Sequence, residues 1–301
     1  MHALIRQLLS RGPVLTDGAW GTQLQARGLP IGEMPEGWNL SHPEDVCGVA
    51  RAYVAAGSRI ILTNTFGGNR CRLEAAGLSD RVRELNLRGV ELSRKAAEGR
   101  AWVFASIGPS GKMLLADEIT RDELGAAFEQ QAAALAEGGA DGLVVETMGD
   151  LDEALLAVAA ARATDLPVVA CMVFDSGKNR DQTIMGLTPE EAAKALTDAG
   201  ADVIGANCGR GMGGFALICA RLRSATDRPI WIKPNAGLPE IVDGRAAYRT
   251  SPEEFAGGAQ ALVAAGASFV GGCCGTSPAF IQALDQKLHA GTQVSPQLLP
   301  G

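Results

Sequence analysis

Two cysteines stand side by side in the glycine-rich run GGCCGT, residues 271–276, and a third lies in GANCG, residues 205–209. Thiolate sulfur is a ligand that zinc and other soft or borderline divalent ions prefer. Three protein ligands leave one of the four tetrahedral positions open, which is typical of a catalytic zinc site and not of a structural one. Cys208, Cys273 and Cys274 therefore predict a zinc site that a substrate can enter.

The chemistry that suits such a site is alkyl transfer to sulfur. A substrate thiol that enters the open position loses its proton near neutral pH, and it stays nucleophilic because the protein thiolates have already neutralised the metal charge. Hydrolysis suits the site less well, because catalytic zinc in hydrolases mostly has nitrogen and oxygen ligands. His2 and His289 lie near the chain ends and His42 lies in the helix start SHPED, so a Ser–His or Cys–His hydrolase has no histidine at hand.

The other four cysteines have an ordinary interpretation. Each lies inside a helix or strand pattern, where a free cysteine behaves as a small buried apolar residue. An odd total of seven, spread over 301 residues, indicates reduced thiols and not a disulfide framework. These four residues are Cys47, Cys71, Cys171 and Cys219.

Eight short apolar runs are spaced along the chain and must position the cysteines. They are continuous and do not alternate, as expected for parallel strands that are covered on both faces. In order they are PVLTD (13–17), RIILTN (59–64), WVFASI (102–107), GLVVET (142–147), PVVACMVF (167–174), DVIGAN (202–207), PIWIK (229–233) and SFVGG (268–272).

Amphipathic segments between these runs carry helix signals. The segments at 120–140 and 188–201 begin with a capping Thr, have Glu near the third helical position and carry Gly just before their last residue. The segment 251–267 repeats the design with Ser. Strands that alternate with helices predict an α/β fold, a single-domain (β/α)8 TIM barrel over residues 1–290. An open doubly wound sheet is the competing architecture. The tail, residues 291–301, lacks periodicity, and we expect it to be disordered.

The barrel brings distant strand ends to one rim, where such folds carry their chemistry. The three cysteines follow the sixth and eighth strands and should meet there. Asp17 and Glu146 also end strands and could hold the ammonium group of an amino-acid substrate. Asn64, Thr65 and Asn207 are strand-end residues that could add hydrogen bonds to the substrate.

Charge and composition exclude several classes of protein. A net charge of −7 and a pI of about 5.1 argue against nucleic acid or an anionic membrane as the main partner. The first residues lack the small-residue cleavage site of a signal peptide, and no run of about 18 apolar residues predicts a membrane span. We expect a cytoplasmic protein.

Seven motifs occur in order along the chain: DGAWGTQLQARG (17–28), TNTFGGNR (63–70), SIGPSG (106–111), ETMGDLDEA (146–154), GANCG (205–209), KPNAG (233–237) and GGCCGT (271–276). Taken together, they resemble the homocysteine S-methyltransferases, a family that includes the homocysteine module of cobalamin-dependent methionine synthase and betaine–homocysteine methyltransferase. The resemblance implies a barrel whose zinc is held by the cysteines at 208, 273 and 274, with homocysteine thiolate as the fourth ligand attacking a methyl group to form methionine. It also implies that the homocysteine ammonium lies near Asp17 and Glu146.

The methyl donor is the open question at this level. The TNTFGGNR and KPNAG motifs are closer to the methionine-synthase module, which favours a methyl group carried by a corrinoid on a partner protein. Direct transfer from betaine or S-methylmethionine is the alternative, and such cations are commonly held in aromatic cages. Aromatic residues make up only 5% of the chain, and Gly67 and Gly68 stand where betaine enzymes of this family carry a tyrosine. Trp20 and Trp38 are either cage residues or lid and packing residues.

Two interpretations from other classes remain. GRGMGG, residues 209–214, fits the G-x-G-x-x-G pattern of a dinucleotide-binding oxidoreductase, but no acidic residue ends the following strand run. A non-enzymatic zinc-binding protein would use the cysteines and leave the strand-end acids without a purpose.

Overall fold

The computed structural model describes residues 1–242 and 245–288, and its centre is a ring of eight parallel strands. The ring strands are β1 (Val14–Leu15), β2 (Ile60–Ile61), β3 (Trp102–Ile107), β4 (Gly142–Met148), β5 (Val168–Met172), β6 (Val203–Gly211), β7 (Ile230–Asn235) and β10 (Ala267–Val270). An antiparallel ribbon of β8 (Glu240–Val242) and β9 (Arg245–Ala247) follows β7.

Helices surround the ring and connect its strands. They are α1 (Ala3–Leu9), α2 (Gly21–Ala26), α3 (Trp38–Ser41), α4 (Pro43–Ala55), α5 (Arg70–Glu74), α6 (Val82–Ala97), α7 (Arg121–Glu137), α8 (Leu151–Arg162), α9 (Pro189–Asp198), α10 (Phe215–Ala225), α11 (Pro252–Gly257), α12 (Ala259–Ala264) and α13 (Pro278–Leu288). Within the described ranges, none of these helices has the length and apolarity that a bilayer crossing requires.

Consecutive barrel strands are neighbours all the way round the sheet. The order runs β1-β10-β7-β6-β5-β4-β3-β2, and β1 meets β2 through a hydrogen bond of 2.9 Å from the Arg59 amide to the Leu15 carbonyl. The prediction of a (β/α)8 barrel is therefore confirmed. The open doubly wound sheet is wrong, because the strand order never reverses at a switch point. The predicted tail, residues 291–301, lies outside the described residues.

Local sequence signals explain where the helices begin. Thr120 and Thr188 each form a complete capping box with the glutamate three residues on, which satisfies backbone donors that a helix start leaves free. The segment 251–267 differs from the single helix that its pattern predicts, because it divides into α11 and α12 at Gly258. A Cβ atom at Gly258 would lie 2.3 Å from Met212 Cγ, so this glycine allows close packing at the break.

The barrel interior is apolar towards the amino ends of its strands and polar towards their carboxyl ends. α1 packs Ile5 and Leu8 against the same cluster as the inward-facing strand residues, with the Trp231 ring centroid 6.4 Å from Phe104 and 5.3 Å from Phe269. Because side chains of a strand alternate between faces, the inward residue two positions further along each strand lies one layer higher. Those next inward residues are Ser106, Glu146, Asn207 and Lys233. A polar floor therefore rests on a dry, aromatic-rich core.

Replacement of Gly205 by Ala tests this packing. A Cβ atom there would lie 2.3 Å from the Trp231 carbonyl oxygen and 2.6 Å from Cys171 Sγ, so we expect Gly205→Ala to lower the free energy of unfolding by about 1–3 kcal/mol. Gly125→Ala is the matched control, because it lies inside α7 with its nearest neighbour at 3.9 Å, and it should raise stability by about 0.5–1 kcal/mol. Urea unfolding measures both, and equal stability of the two variants would contradict the packing described.

Candidate active site

The three predicted zinc cysteines lie together at the carboxyl-end rim of the barrel. Their sulfur atoms all lie within 4.8 Å of one another, and the Sγ atoms of Cys208 and Cys274 are 4.0 Å apart. A tetrahedral ion with Zn–S bonds of about 2.3 Å needs sulfur atoms about 3.8 Å apart. Small side-chain movements therefore suffice for Cys208, Cys273 and Cys274 to hold one ion. No other cluster of possible metal ligands occurs within residues 1–242 and 245–288.

Irregular backbone aims these sulfur atoms. The pairing of β6 with β7 shifts register between Cys208 and Gly211, and such an irregularity redirects a side chain at the end of a strand. Cys208 itself has a φ of 63°, a conformation that non-glycine residues seldom adopt and that is found more often at functional sites. Gly275, with a φ of 80°, follows the cysteine pair, and a Cβ atom there would lie 2.2 Å from the Tyr248 ring. Only glycine lets the Tyr248 ring pack so closely against the backbone that follows the pair.

Hydrogen bonding among the thiols distributes their protons unevenly. Hydrogen bonds from the Cys273 and Cys274 thiols lower the pKa of Cys208 well below its usual value. The bond to Cys208 raises the pKa of Cys273, and it also raises that of Cys274. Within the cluster, Cys208 is therefore the sulfur that loses its proton most easily. A divalent ion would displace the remaining protons, as metal binding to cysteine does.

A cavity of about 360 Å³ opens beside the three sulfur atoms. Its apolar side includes Trp20, Met34 and Phe66, from the loops that follow β1 and β2. Its polar residues include Ser106, Glu146 and Lys233. The cavity thus combines a sulfur cluster, an apolar wall and a charged floor, which matches a small thiol that carries charged groups.

Glu146 is a buried carboxylate in this cavity. It is 7% exposed, its Oε1 accepts a hydrogen bond of 2.5 Å from the Ser106 hydroxyl, and its Oε2 accepts one of 3.1 Å from the Asn207 amide. Burial raises the pKa of Glu146, and attraction to Lys233 offsets part of that rise. A cation that enters the cavity would compensate the buried charge.

Asp17 has its partners within the protein. Its Oδ1 lies 2.5 Å from Lys233 Nζ, and its Oδ2 accepts hydrogen bonds of 2.7 Å from the Leu62 amide and 2.8 Å from the Trp20 indole. Burial lowers the pKa of Lys233, but the combined attraction to Asp17 and Glu146 outweighs burial and raises the pKa overall, so the lysine stays charged. Sequence reasoning missed Lys233, although a lysine that ends the apolar run PIWIK, two residues after an inward-facing tryptophan, is a signal for it.

Asn207 links Glu146 to the sulfur cluster. Its amide nitrogen lies 2.7 Å from Thr147 Oγ1, 3.1 Å from Glu146 Oε2 and 3.7 Å from Cys273 Sγ. Its oxygen accepts a hydrogen bond of 2.8 Å from the Thr147 amide. Thr147 has a φ of 62°, so Asn207 also holds a backbone conformation that is otherwise unfavourable.

The other two predicted polar residues lie at different depths. Asn64 lines the cavity and donates hydrogen bonds of 2.7 Å to the Pro35 carbonyl and 2.9 Å to Asn39. Thr65 is fully buried and donates a hydrogen bond of 2.8 Å to the Ser106 carbonyl. Both hold the loop after β2, and of the two Asn64 faces the cavity.

The two tryptophans considered as cage residues have different surroundings. Trp20 lines the cavity, with its indole N–H bonded to Asp17. Trp38 is 4% exposed, donates a hydrogen bond of 3.0 Å to Glu33 and stacks on His42 at 4.1 Å. Trp38 is therefore a packing residue, and Trp20 is part of the cavity wall.

Comparison with known proteins identifies relatives of this chain. The model of the homocysteine S-methyltransferase family matches residues 14–288. Methionine synthases of Mycobacterium tuberculosis and Mycobacterium leprae are 31% and 30% identical over 91% and 92% of this chain. This chain spans 24% of the length of each of those two relatives. The metallated form of the homocysteine methyltransferase MmuM from Escherichia coli has a TM-score of 0.79 and 25% identity, over 94% of this chain and 99% of that one.

Removal of the Asn207 side chain tests its connecting position. Asn207→Ala leaves the Thr147 amide and Glu146 Oε2 without these partners, so we expect the free energy of unfolding to fall by about 1–3 kcal/mol. Asn179→Ala, at an exposed position of the loop after β5, is the control and should change it by less than about 0.5 kcal/mol. Chemical denaturation measures both variants. A parent-like Asn207→Ala would show that these bonds do not hold the site.

Proposed function

The chain belongs to the homocysteine S-methyltransferase family, and from that premise we propose that it is a zinc-dependent methyltransferase that converts homocysteine to methionine. The observation that carries the proposal is the cluster of three thiols within 4.8 Å of one another at the side of a cavity of about 360 Å³. Because this family consists of methyltransferases, the oxidoreductase and the non-enzymatic zinc-binding protein are no longer alternatives.

The donor set fits zinc. The ion would be held by the sulfur atoms of Cys208, Cys273 and Cys274. These are three protein ligands, so the fourth position would be open to a substrate. Zinc in that position supplies an open coordination place at which a thiol loses its proton near neutral pH. Asn207, at 3.7 Å from Cys273 Sγ, would orient one of the ligands through its amide.

The protein's own residues bind and orient the substrate in this proposal. Glu146 accepts the ammonium group of homocysteine, which compensates the carboxylate that burial makes costly. The apolar wall with Trp20, Met34 and Phe66 excludes water from the reacting sulfur. In the transfer, the homocysteine thiol gives up its proton, its sulfur forms a bond to the methyl carbon, and the donor leaves with the electron pair of the broken bond.

For the methyl donor we propose a corrinoid carried by a partner protein. A cavity of about 360 Å³ suits an amino acid and is too small to enclose a corrin ring, so the donor must approach from the rim. Within the described residues, the aromatic side chains that line the cavity are Trp20 and Phe66, and the Trp20 indole N–H is bonded to Asp17. Two rings on one wall do not enclose an onium group as a full cage does. Direct transfer from betaine or a sulfonium is the runner-up.

Loss of one ligand tests the zinc site. We expect Cys208→Ser to reduce bound zinc from one ion per chain to a small fraction and to lower homocysteine methylation by about a hundredfold or more. Cys71→Ser is the matched control, because Cys71 is half-buried on α5, away from the cluster, and it should keep both. Elemental analysis and methionine formation are the measurements. Full zinc content and activity in Cys208→Ser would show that Cys208 is not a ligand of a catalytic zinc ion.

A donor panel tests the source of the methyl group. Homocysteine is incubated with the zinc-loaded protein and, separately, methylcobalamin, betaine or S-methylmethionine, and methionine is quantified. Of the three donors, we expect only methylcobalamin to give methionine, because the cavity offers no full aromatic cage for the onium group of betaine or S-methylmethionine. Turnover with betaine or S-methylmethionine in the absence of any corrinoid would reverse the order of the two donor classes.

A further inference from the structure

We propose that Lys233 binds the α-carboxylate of the thiol substrate and that Asp17 is a positioning residue that holds the lysine in place. The inference rests on the proposed function, since it takes homocysteine as the occupant of the cavity. The sequence predicts that Asp17 contacts the substrate ammonium, whereas in this proposal Asp17 holds Lys233. Lys233 is not among the site residues that the sequence predicts.

The surroundings of Asp17 are the first observation. The side chain is fully buried and does not line the cavity, whereas Lys233 does. Lys233 Nζ is bonded to one carboxylate oxygen, and the Leu62 amide and the Trp20 indole are bonded to the other. The carboxylate therefore has three donors from the protein, and a substrate ammonium would have to displace one of them.

The unused hydrogen-bonding capacity of Lys233 is the second observation. An ammonium group has three N–H donors, and in the described part of the chain Nζ makes one hydrogen bond, of 2.5 Å to Asp17 Oδ1. The lysine is 2% exposed, so bulk water does not reach most of it. A buried cation with free donors at the edge of a cavity is suited to an anionic ligand group.

The order of charges is the third observation, and it matches an α-amino acid. Glu146 and Lys233 both line the cavity, and they attract each other without a direct ion pair within 4.0 Å. The amino acid's ammonium on Glu146 and its carboxylate on Lys233 would continue the alternation of charge. Each buried charge is then compensated, and a thiol that lacks either group leaves one of them unpaired, which is costly.

The test uses three thiols that differ by one charged group. Homocysteine has both groups, 4-mercaptobutyrate lacks the ammonium, and 3-aminopropane-1-thiol lacks the carboxylate. Isothermal titration calorimetry measures the Kd of each for the zinc-loaded full chain without any methyl donor, so that a carboxylate on the donor plays no part. The variants are Lys233→Met and the double variant Asp17→Asn/Lys233→Met, which also removes the aspartate charge that the single change leaves unpaired. Lys95→Met, at an exposed position on α6, is the control.

We expect loss of the lysine to weaken homocysteine and 4-mercaptobutyrate by about tenfold or more and to change 3-aminopropane-1-thiol by less than about twofold. An unchanged Kd for homocysteine, or an equal loss for all three thiols, would overturn the proposal. If neither variant folds, the parent decides, because it must bind homocysteine at least about tenfold more tightly than 3-aminopropane-1-thiol.

The proposed function can fail separately. If the parent binds homocysteine with this ligand pattern but transfers no methyl group from any donor, the activity is wrong and the carboxylate site stands. If methionine forms but Lys233→Met keeps the parent's Kd for homocysteine, the carboxylate site is wrong and the activity stands. If the parent binds none of the three thiols, both proposals fall.

Discussion

The end of β7 fixes the geometry on which the rest of the site depends. It lies between β6 and β10 and is bonded to both: Pro234 accepts a hydrogen bond of 2.7 Å from the Cys273 amide, and Asn235 donates one of 3.0 Å to the Gly209 carbonyl. Cys208 pairs with Pro234 across the strands. The backbone around one proline therefore sets the separation of sulfur atoms that are 65 residues or more apart in sequence.

A second constraint is the layer of buried charge above the aromatic core. Trp231 and its ring neighbours exclude water from below, so Glu146 and Lys233 have few partners beyond each other, Asp17 and neighbouring polar groups. In such surroundings an unpaired charge is costly and a matched pair is favourable. In the proposed function, this balance would favour a charged amino-acid ligand over a plain thiol.

Most of the fold and the outline of the site can be predicted from the sequence. The eight continuous apolar runs predict parallel strands, and a parallel barrel brings Cys208 to Cys273 and Cys274 because all strand ends share one rim. The helix starts at Thr120 and Thr188 follow from local capping, which depends on four residues alone.

The sequence does not contain the contacts that depend on long-range packing. The pair of Asp17 and Lys233 joins residues 216 positions apart, and no local pattern says which strand-end acid meets a cation. The break at Gly258 depends on the approach of Met212 from another element, and the left-handed backbone of Cys208 follows from the irregular pairing with β7. These features appear only once the barrel is closed.

The most direct test of the central claim is X-ray absorption at the zinc edge, with and without homocysteine. The account predicts three sulfur neighbours at about 2.3 Å and one lighter neighbour in the zinc-loaded protein, and four sulfur neighbours after homocysteine is added. Fewer than three sulfur neighbours before addition, or an unchanged sulfur count at saturating homocysteine, would contradict it.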